Sequence, residues 1–177
     1  RFAHLRQFRL PGGEAAVKEP RRAALGLLYE VFGEELWKKD SLLTGFDRSE
    51  LSLLRQMLEK NVNAPLTSST GRLFDAIAGL IGQRARASFE GQAAMEVEFA
   101  VQRGVEGAYS FTLREQSPLV LDWQLGVIEM IDDVRNEEAR SMISAKFHNM
   151  LAEMIVTVAR TSGHDQVAVR GGGSRNR

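Results

Sequence analysis

From Asn61 to Glu98 the chain sets two helix starts, and this stretch constrains the fold more than any other. Pro65 excludes helix from the loop spanning Asn61 to Thr67, because its ring removes a backbone donor and crowds the preceding turn. A hydroxyl-rich turn follows, Thr67, Ser68, Ser69 and Thr70, of the residue types that cap helix N-termini. Leu73, Ile77, Leu80 and Ile81 then recur at the helical period, which predicts a helix over 71–82 headed by Gly71. A second glycine turn, Glu90-Gly91-Gln92, opens another helix to about Arg103, with Ala94, Val97, Glu98 and Val101 at helical spacing. Two such helix starts make a cradle for a phosphorylated or polyhydroxylated ligand. Their backbone N–H groups point outward, and the helix dipole favours negative charge there.

The remaining elements are fewer in strand than in helix. Phe2 to Phe8 alternates loosely as one short strand, which Leu10-Pro-Gly-Gly13 ends. Pro20 heads an apolar-periodic run to Phe32, a helix in which the missing proline N–H costs nothing. Asp47 or Ser49 caps a helix with Leu51, Leu54, Met57 and Leu58 on one face. Tyr109 to Leu113 and Leu119 to Leu121 are strand candidates, and Asp122 caps a helix through Val127, Met130, Ile131 and Val134. The longest helix starts near Asn136, carries Phe147, Met150, Leu151 and Met154 as core, and ends before Gly163. Gln166 to Val169 is a last strand leading into three glycines. This is a helix-rich α/β chain with too few strands for a complete doubly wound sheet. The start at Arg1 and the RGGGSRNR end read as cut, so the chain is expected to be part of a longer polypeptide.

Composition narrows the function classes. Lys+Arg and Asp+Glu are each 23, a zero net charge that argues against a duplex-binding surface and against nucleic acid as partner. With no cysteine, thiolate zinc sites, disulfides and cysteine nucleophiles are excluded together, and a cytoplasmic setting fits. No apolar run approaches the about 20 residues that span a bilayer, so no membrane role is expected. His4, His148 and His164 form no His-x-x-x-His pair, so no metal ligand is expected. Asp132-Asp133 and Glu137-Glu138 read as solvated helix faces, and no catalytic triad or nucleophile stands out.

Six ordered motifs then carry a family resemblance over nearly the whole chain. Phe8-Arg-Leu-Pro-Gly-Gly13 comes first, with Ala15-Ala16 and Glu19-Pro20. Asn63-Ala-Pro-Leu-Thr-Ser-Ser-Thr-Gly-Arg-Leu-Phe-Asp-Ala76 is the sharpest, followed by Phe89-Glu-Gly-Gln-Ala-Ala-Met-Glu96. Leu121-Asp-Trp123, Phe147-His-Asn149 with Leu151-Ala152, and Val167-Ala-Val-Arg-Gly-Gly172 complete the order. In these residues the chain resembles the HypF carbamoyltransferases of nickel–iron hydrogenase maturation, in their C-terminal TsaD-like domain.

The resemblance implies an actin-like, sugar-kinase-like fold, with a helical insertion over 20–60, nucleotide-site helices over 61–103, and helices and a strand over 119–177. It implies substrates carbamoyl phosphate and ATP, carbamoyl adenylate as the activated species, and the C-terminal cysteine of the partner HypE as acceptor, for cyanide ligand synthesis. It places the divalent metal that accompanies ATP, and the zinc or iron of the parent enzyme, on residues outside this segment, and it leaves the 177 residues alone inactive. Alternatives are a tRNA threonylcarbamoyl transferase or O-carbamoyltransferase of the same fold, or a non-catalytic helical interaction fragment.

Carried over residue by residue, Asp75 resembles the acid that hydrogen-bonds the nucleotide ribose. A carboxylate suits two vicinal O–H donors; the competing assignment is a helix-surface acid favoured by the first-turn dipole. Gly71 lets the backbone approach the ligand, or is a turn glycine only. Arg72 pairs with phosphate or with surface acids such as Glu59, or is a solvated arginine, the commoner outcome for such a residue. Glu90, Gly91 and Gln92 resemble the second nucleotide-facing turn, and Glu96 either reaches a ribose hydroxyl or is an ordinary first-turn acid. Gly171, Gly172 and Asn176 belong to a strand-to-glycine turn facing phosphate or adenine. There Arg170, Gly173 and Ser174 depart from the family pattern, which puts that loop's geometry in question.

Overall fold

A computed structural model of the chain describes residues 2–82 and 91–163. They divide into two compact units: Gln7–Val97, and the N-terminal residues through Arg6 together with the chain from Glu98 on.

The unit 7–97 is helical, with one antiparallel pair of two-residue strands, β2 (Phe8–Arg9) and β3 (Leu66–Thr67), in the register Phe8↔Thr67 and Arg9↔Leu66. Helix α1 (Glu14–Lys18) follows the Pro11-Gly12-Gly13 turn, and α2 (Pro20–Phe32) begins on its proline and stops at Gly33, whose φ of 56° is left-handed. Two short 3-10 turns occupy Gly33–Lys38 and Asp40–Leu42. The Asp47 carboxylate then accepts the Glu50 N–H at 2.8 Å and caps α3 (Arg48–Glu59). After Pro65, the turn Thr67–Ser69 leads into α4 (Thr70–Leu80). Helix α5 (Gln92–Phe99) runs across the division between the units in sequence.

Helices α2 and α4 form the centre of this unit. Ala23, Ala24, Leu25, Leu27 and Leu28 of α2 are buried, as are Leu73, Ala76, Ile77 and Ala78 of α4. Gly79 makes that closeness possible. A Cβ there would sit 2.5 Å from the Pro20 carbonyl oxygen, where only a hydrogen fits. Four charged side chains brace the start of α2: Arg21 and Arg22 both bond the Glu19 and Glu50 carboxylates at 2.7–3.1 Å. Burial pushes the Glu19 carboxyl up, but hydrogen bonds from Arg22 and Arg21 outweigh it and hold the group below the usual range.

The other unit is a three-stranded mixed sheet carrying two helices. Strand β1 (Ala3–Leu5) lies parallel to β5 (Leu119–Asp122), in the register Ala3↔Leu119 and Leu5↔Leu121, and β4 (Thr112–Arg114) is antiparallel on the other side. Helix α6 (Gln124–Arg135) leaves the end of β5, and α7 (Arg140–Ser162) closes on Gly163 in the left-handed region. Trp123, Met130, Ile143, Phe147, Met150 and Met154 are buried here.

Several boundaries differ from the sequence expectation. The single strand expected over 2–8 is two, β1 and β2, which belong to different units and pair with different partners. Asn61–Thr67 is not wholly loop, since Leu66–Thr67 pairs as β3. The helix expected to reach Arg103 ends at Phe99, and the strand expected over 109–113 is Thr112–Arg114. The long helix starts at Arg140, because Glu137 turns left-handed (φ 56°) after α6 ends. Asp122 lies just before the α6 cap position, held by Trp123, yet its Oδ1 accepts the Gln124 N–H at 3.0 Å. The strand expected over 166–169 lies outside the described residues.

Candidate functional site

The start of α4 is ordered by its own hydroxyls. Thr67 Oγ1 accepts the Ser69 N–H at 3.1 Å, and Ser69, the N-cap, accepts the Arg72 N–H at a long 3.5 Å. Gly71, in the first turn, is exposed, and a Cβ on it would meet nothing nearer than Ser69 Oγ at 3.7 Å. The space over this turn is open.

Asp75, one turn further along, is 3% exposed, which removes the solvated helix-surface assignment. Its Oδ2 lies 2.5 Å from Arg72 Nη1, an i,i+3 ion pair within α4. Asp75 is the one buried acid among the described residues of the unit 7–97. A buried carboxylate is costly unless a cation and hydrogen bonds compensate it, and the Arg72 guanidinium supplies part of that compensation.

Gly91 has φ 84°, a conformation open to glycine, and its carbonyl accepts the Met95 N–H at 3.0 Å as α5 begins. Gln92 and Glu96 meet on one face of α5, Gln92 Nε2 donating to Glu96 Oε1 at 3.3 Å. An open hollow of about 370 Å³ in the same unit is lined by Asn61, Asn63, Ala64, Pro65 and Leu66, the segment leading into the hydroxyl turn. Neither Gly71, Asp75 nor Gly91 lines it. Glu90, Gly171, Gly172 and Asn176 lie outside the described residues.

The remaining polar clusters sit in the other unit. Asp122, 3% exposed, takes Arg6 Nη1 at 3.1 Å and pairs with Arg114, while Arg6 stacks over the Trp123 ring at 5.3 Å and the Trp123 Nε1–H donates to the Arg6 carbonyl. The Leu121-Asp-Trp123 motif marks this cluster in sequence; its distant partner Arg6 carries no sequence signal.

Asp133 does not belong to a solvated face as its run of acids suggests. It accepts the Tyr109 hydroxyl at 2.7 Å and the Lys146 ammonium at 2.8 Å, whereas Asp132 is exposed. Burial raises the Asp133 carboxyl, but the Lys146 and Tyr109 hydrogen bonds prevail and hold it low; burial, then Asp133, drives the Tyr109 phenol far above its usual value. His148 Nδ1 lies 2.8 Å from the Ser144 carbonyl one turn back, and His4 Nδ1 2.8 Å from the Leu5 carbonyl. No helix among the described residues is long and apolar enough to cross a membrane.

All of residues 1–177 match the carbamoyltransferase, Kae1-like domain, second subdomain. The chain belongs to the HypF carbamoyltransferase family. It is 38% identical over 192 aligned residues to the carbamoyltransferase HypF of Synechocystis sp., covering 99% of this chain and 25% of that protein. To the probable carbamoyltransferase HypF of Methanocaldococcus jannaschii it is 28% identical over 181 residues, covering 100% of this chain and 23% of the relative. Of solved structures, full-length HypF in a phosphate- and nucleotide-bound form matches with a TM-score of 0.84 at 33% identity, over 92% of this chain and 21% of that one. HypF of T. kodakarensis matches with a TM-score of 0.71 at 26% identity, over 92% of this chain and 23% of that one. The chain thus spans about a quarter of the length of the curated relatives named here. The fold is the helix-rich α/β arrangement of that Kae1-like domain.

Proposed function

We propose that this chain supplies one wall of a nucleotide site in an ATP-dependent carbamoyltransferase of hydrogenase maturation. In this reading the enzyme activates carbamoyl phosphate to carbamoyl adenylate and passes the carbamoyl group to the C-terminal cysteine of HypE, in the cytoplasm. The observation that carries the reading is the buried Asp75 carboxylate one turn below an open, hydroxyl-bordered helix start. Support comes from the similar full-length HypF whose crystal structure is nucleotide-bound.

The residues suit a nucleotide. An ionised carboxylate accepts sugar hydroxyls through charge-assisted bonds, roughly twice as strong as neutral ones. Gly71, lacking a Cβ, lets a ligand reach the backbone N–H groups of the first α4 turn, where the dipole favours phosphate. In this reading the Gly91 bend, with Gln92 and Glu96, serves the same nucleotide. Transfer from an acyl phosphate and then from a mixed anhydride depends on holding the reactants in line and stabilising developing negative charge, for which helix starts and glycine turns serve. Among the described residues no three His, Asp or Glu side chains cluster as a metal site. The divalent ion that accompanies ATP is assigned to residues beyond this segment.

Isothermal titration of ATP into the full-length polypeptide carrying this chain tests the reading. Asp75→Asn should weaken binding by about 1.5–3 kcal/mol, the contribution of a hydrogen bond to a charged group. Binding unchanged in that variant removes Asp75 from the site.

A further inference from the structure

Strands β2 and β3 make a ladder with one closed side and one open side. The Leu10 N–H donates to the Pro65 carbonyl and the Gly12 N–H to the Asn63 carbonyl, which extends the register Phe8↔Thr67 past the two strands. Antiparallel bonds fall on alternate residue pairs, so residues 63, 65 and 67 turn their main-chain groups toward β2. Ala64 and Leu66 turn theirs away. Ala64 is 4% exposed and makes no main-chain hydrogen bond among the described residues. Buried main-chain groups are almost always paired, so this edge is one partner short.

The outer side of β2 is filled. The Arg9 carbonyl lies against α2, where a Cβ on Gly26 would sit 1.8 Å from its oxygen. No described residue closes β3 in that way: Leu66 is 51% exposed, and Asn61, Asn63, Ala64, Pro65 and Leu66 line the open hollow of about 370 Å³. Free edges are commonly blunted by lysine, by a bulge or by a proline on the exposed side. Here the N–H that Pro65 lacks belongs to the β2 side, opposite Leu10, so the outward edge keeps its donors and acceptors.

An edge of this kind takes an extended peptide by main-chain pairing. Its course selects the peptide. Beyond Thr67 the chain passes directly into the hydroxyl turn and the first turn of α4. A peptide laid parallel to β3 therefore carries its C-terminal end to that turn.

We propose that the open edge of β3, with the segment from Asn63 that leads into it, docks the extended C-terminal tail of the acceptor protein. The tail pairs parallel to β3 and presents its terminal cysteine at the start of α4. This rests on the reading above, in which a C-terminal cysteine receives the carbamoyl group. Recognition runs through the N–H and C=O groups of Ala64 and Leu66, so it depends on the tail's main chain more than on its side chains.

The test uses the full-length polypeptide and a fluorescently labelled synthetic peptide of the HypE C-terminal tail, with binding read by anisotropy. Peptides N-methylated at every second residue, in the two alternate registers, remove the pairing donors in one case and spare them in the other. One register should lose roughly tenfold or more in affinity and the other little, as loss of about one or two hydrogen bonds gives. Leu66→Pro removes an outward N–H that the β2 ladder does not use, and should weaken the unmethylated peptide by a similar factor. ATP titration of that variant reports whether it folds; if it does not, the methylated pair on the unmodified protein decides. A tail that binds equally in both registers overturns the inference and leaves the reading standing. A tail that does not bind the unmodified protein at all sinks the acceptor reading, and the inference with it. Ala64 and Leu66 amides protected from hydrogen exchange before any tail is added mark an edge already filled by another segment or a second copy, which overturns the inference alone.

Discussion

Replacing Gly79 by alanine tests the packing that holds the site in place. The added Cβ would lie 2.5 Å from the Pro20 carbonyl oxygen, 2.6 Å from its carbon and 2.9 Å from the Arg21 nitrogen, against the 3.4 Å at which ordinary contact begins. All three are backbone atoms at the start of α2, so no side-chain rotation relieves the clash. Helices α2 and α4 must part, loosening the buried layer of Leu25, Leu28, Leu73 and Ile77. Overpacking of this kind costs about 1–3 kcal/mol, and rigid neighbours put it toward the upper end. Alanine regains about 1 kcal/mol in helix propensity. The net is about 1–2 kcal/mol of destabilisation, a fall in Tm of roughly 2–8 °C for a chain of this size. Gly71→Ala is the control, because its Cβ meets nothing closer than 3.7 Å; its stability should change by no more than about 0.5 kcal/mol. Thermal and urea unfolding of both variants give the comparison. A Gly79→Ala protein as stable as Gly71→Ala would refute the close α2–α4 approach.

Further outcomes follow from the same contacts. Gly71→Ala, though folded, should bind ATP more weakly in titration, because the methyl occupies the open space over the first α4 turn. Asp122→Ala removes a buried acid from two arginines; Arg114 is largely exposed, so the loss centres on Arg6 and should be about 2–3 kcal/mol by urea unfolding. The Tyr109–Asp133–Lys146 cluster gives a two-sided pH dependence. Asp133, held below its usual 3.8, contributes stability that is present above that value and lost as pH falls through its lower folded value. Tyr109, raised above its usual 10.0, contributes stability present below pH 10 and lost as pH rises beyond it. Tyr109→Phe should flatten the alkaline limb in pH-dependent unfolding, whereas an alkaline limb left intact would contradict the assignment.

How far the sequence could be read follows from where each signal lies. Pro20 and the apolar period that follows it mark α2 locally, so its span is legible in the sequence. The left-handed Gly163 did the same for the end of α7. Helix α1, at five residues, is shorter than the window in which a helical period shows, and the 3-10 turns over 33–42 have no such period. The split between β1 and β2 depends on partners far away in sequence, Leu119–Leu121 for one and Leu66–Thr67 for the other. No local pattern carries that pairing. At the site, the hydroxyl turn, Gly71 and Asp75 were visible as residue types in order, but burial of Asp75 was not. Its i,i+3 spacing from Arg72 lies in the sequence, but the ion pair depends on α4 burying the acid. The burial of Asp133 escapes local sequence for the same reason, since Tyr109 and Lys146 reach it from other segments.

A crystal structure of the full-length polypeptide with an ATP analogue confronts the account at its root. It should find ribose oxygens within about 2.6–3.2 Å of the Asp75 carboxylate. A nucleotide seated against other residues, with Asp75 remote from the sugar, would contradict it.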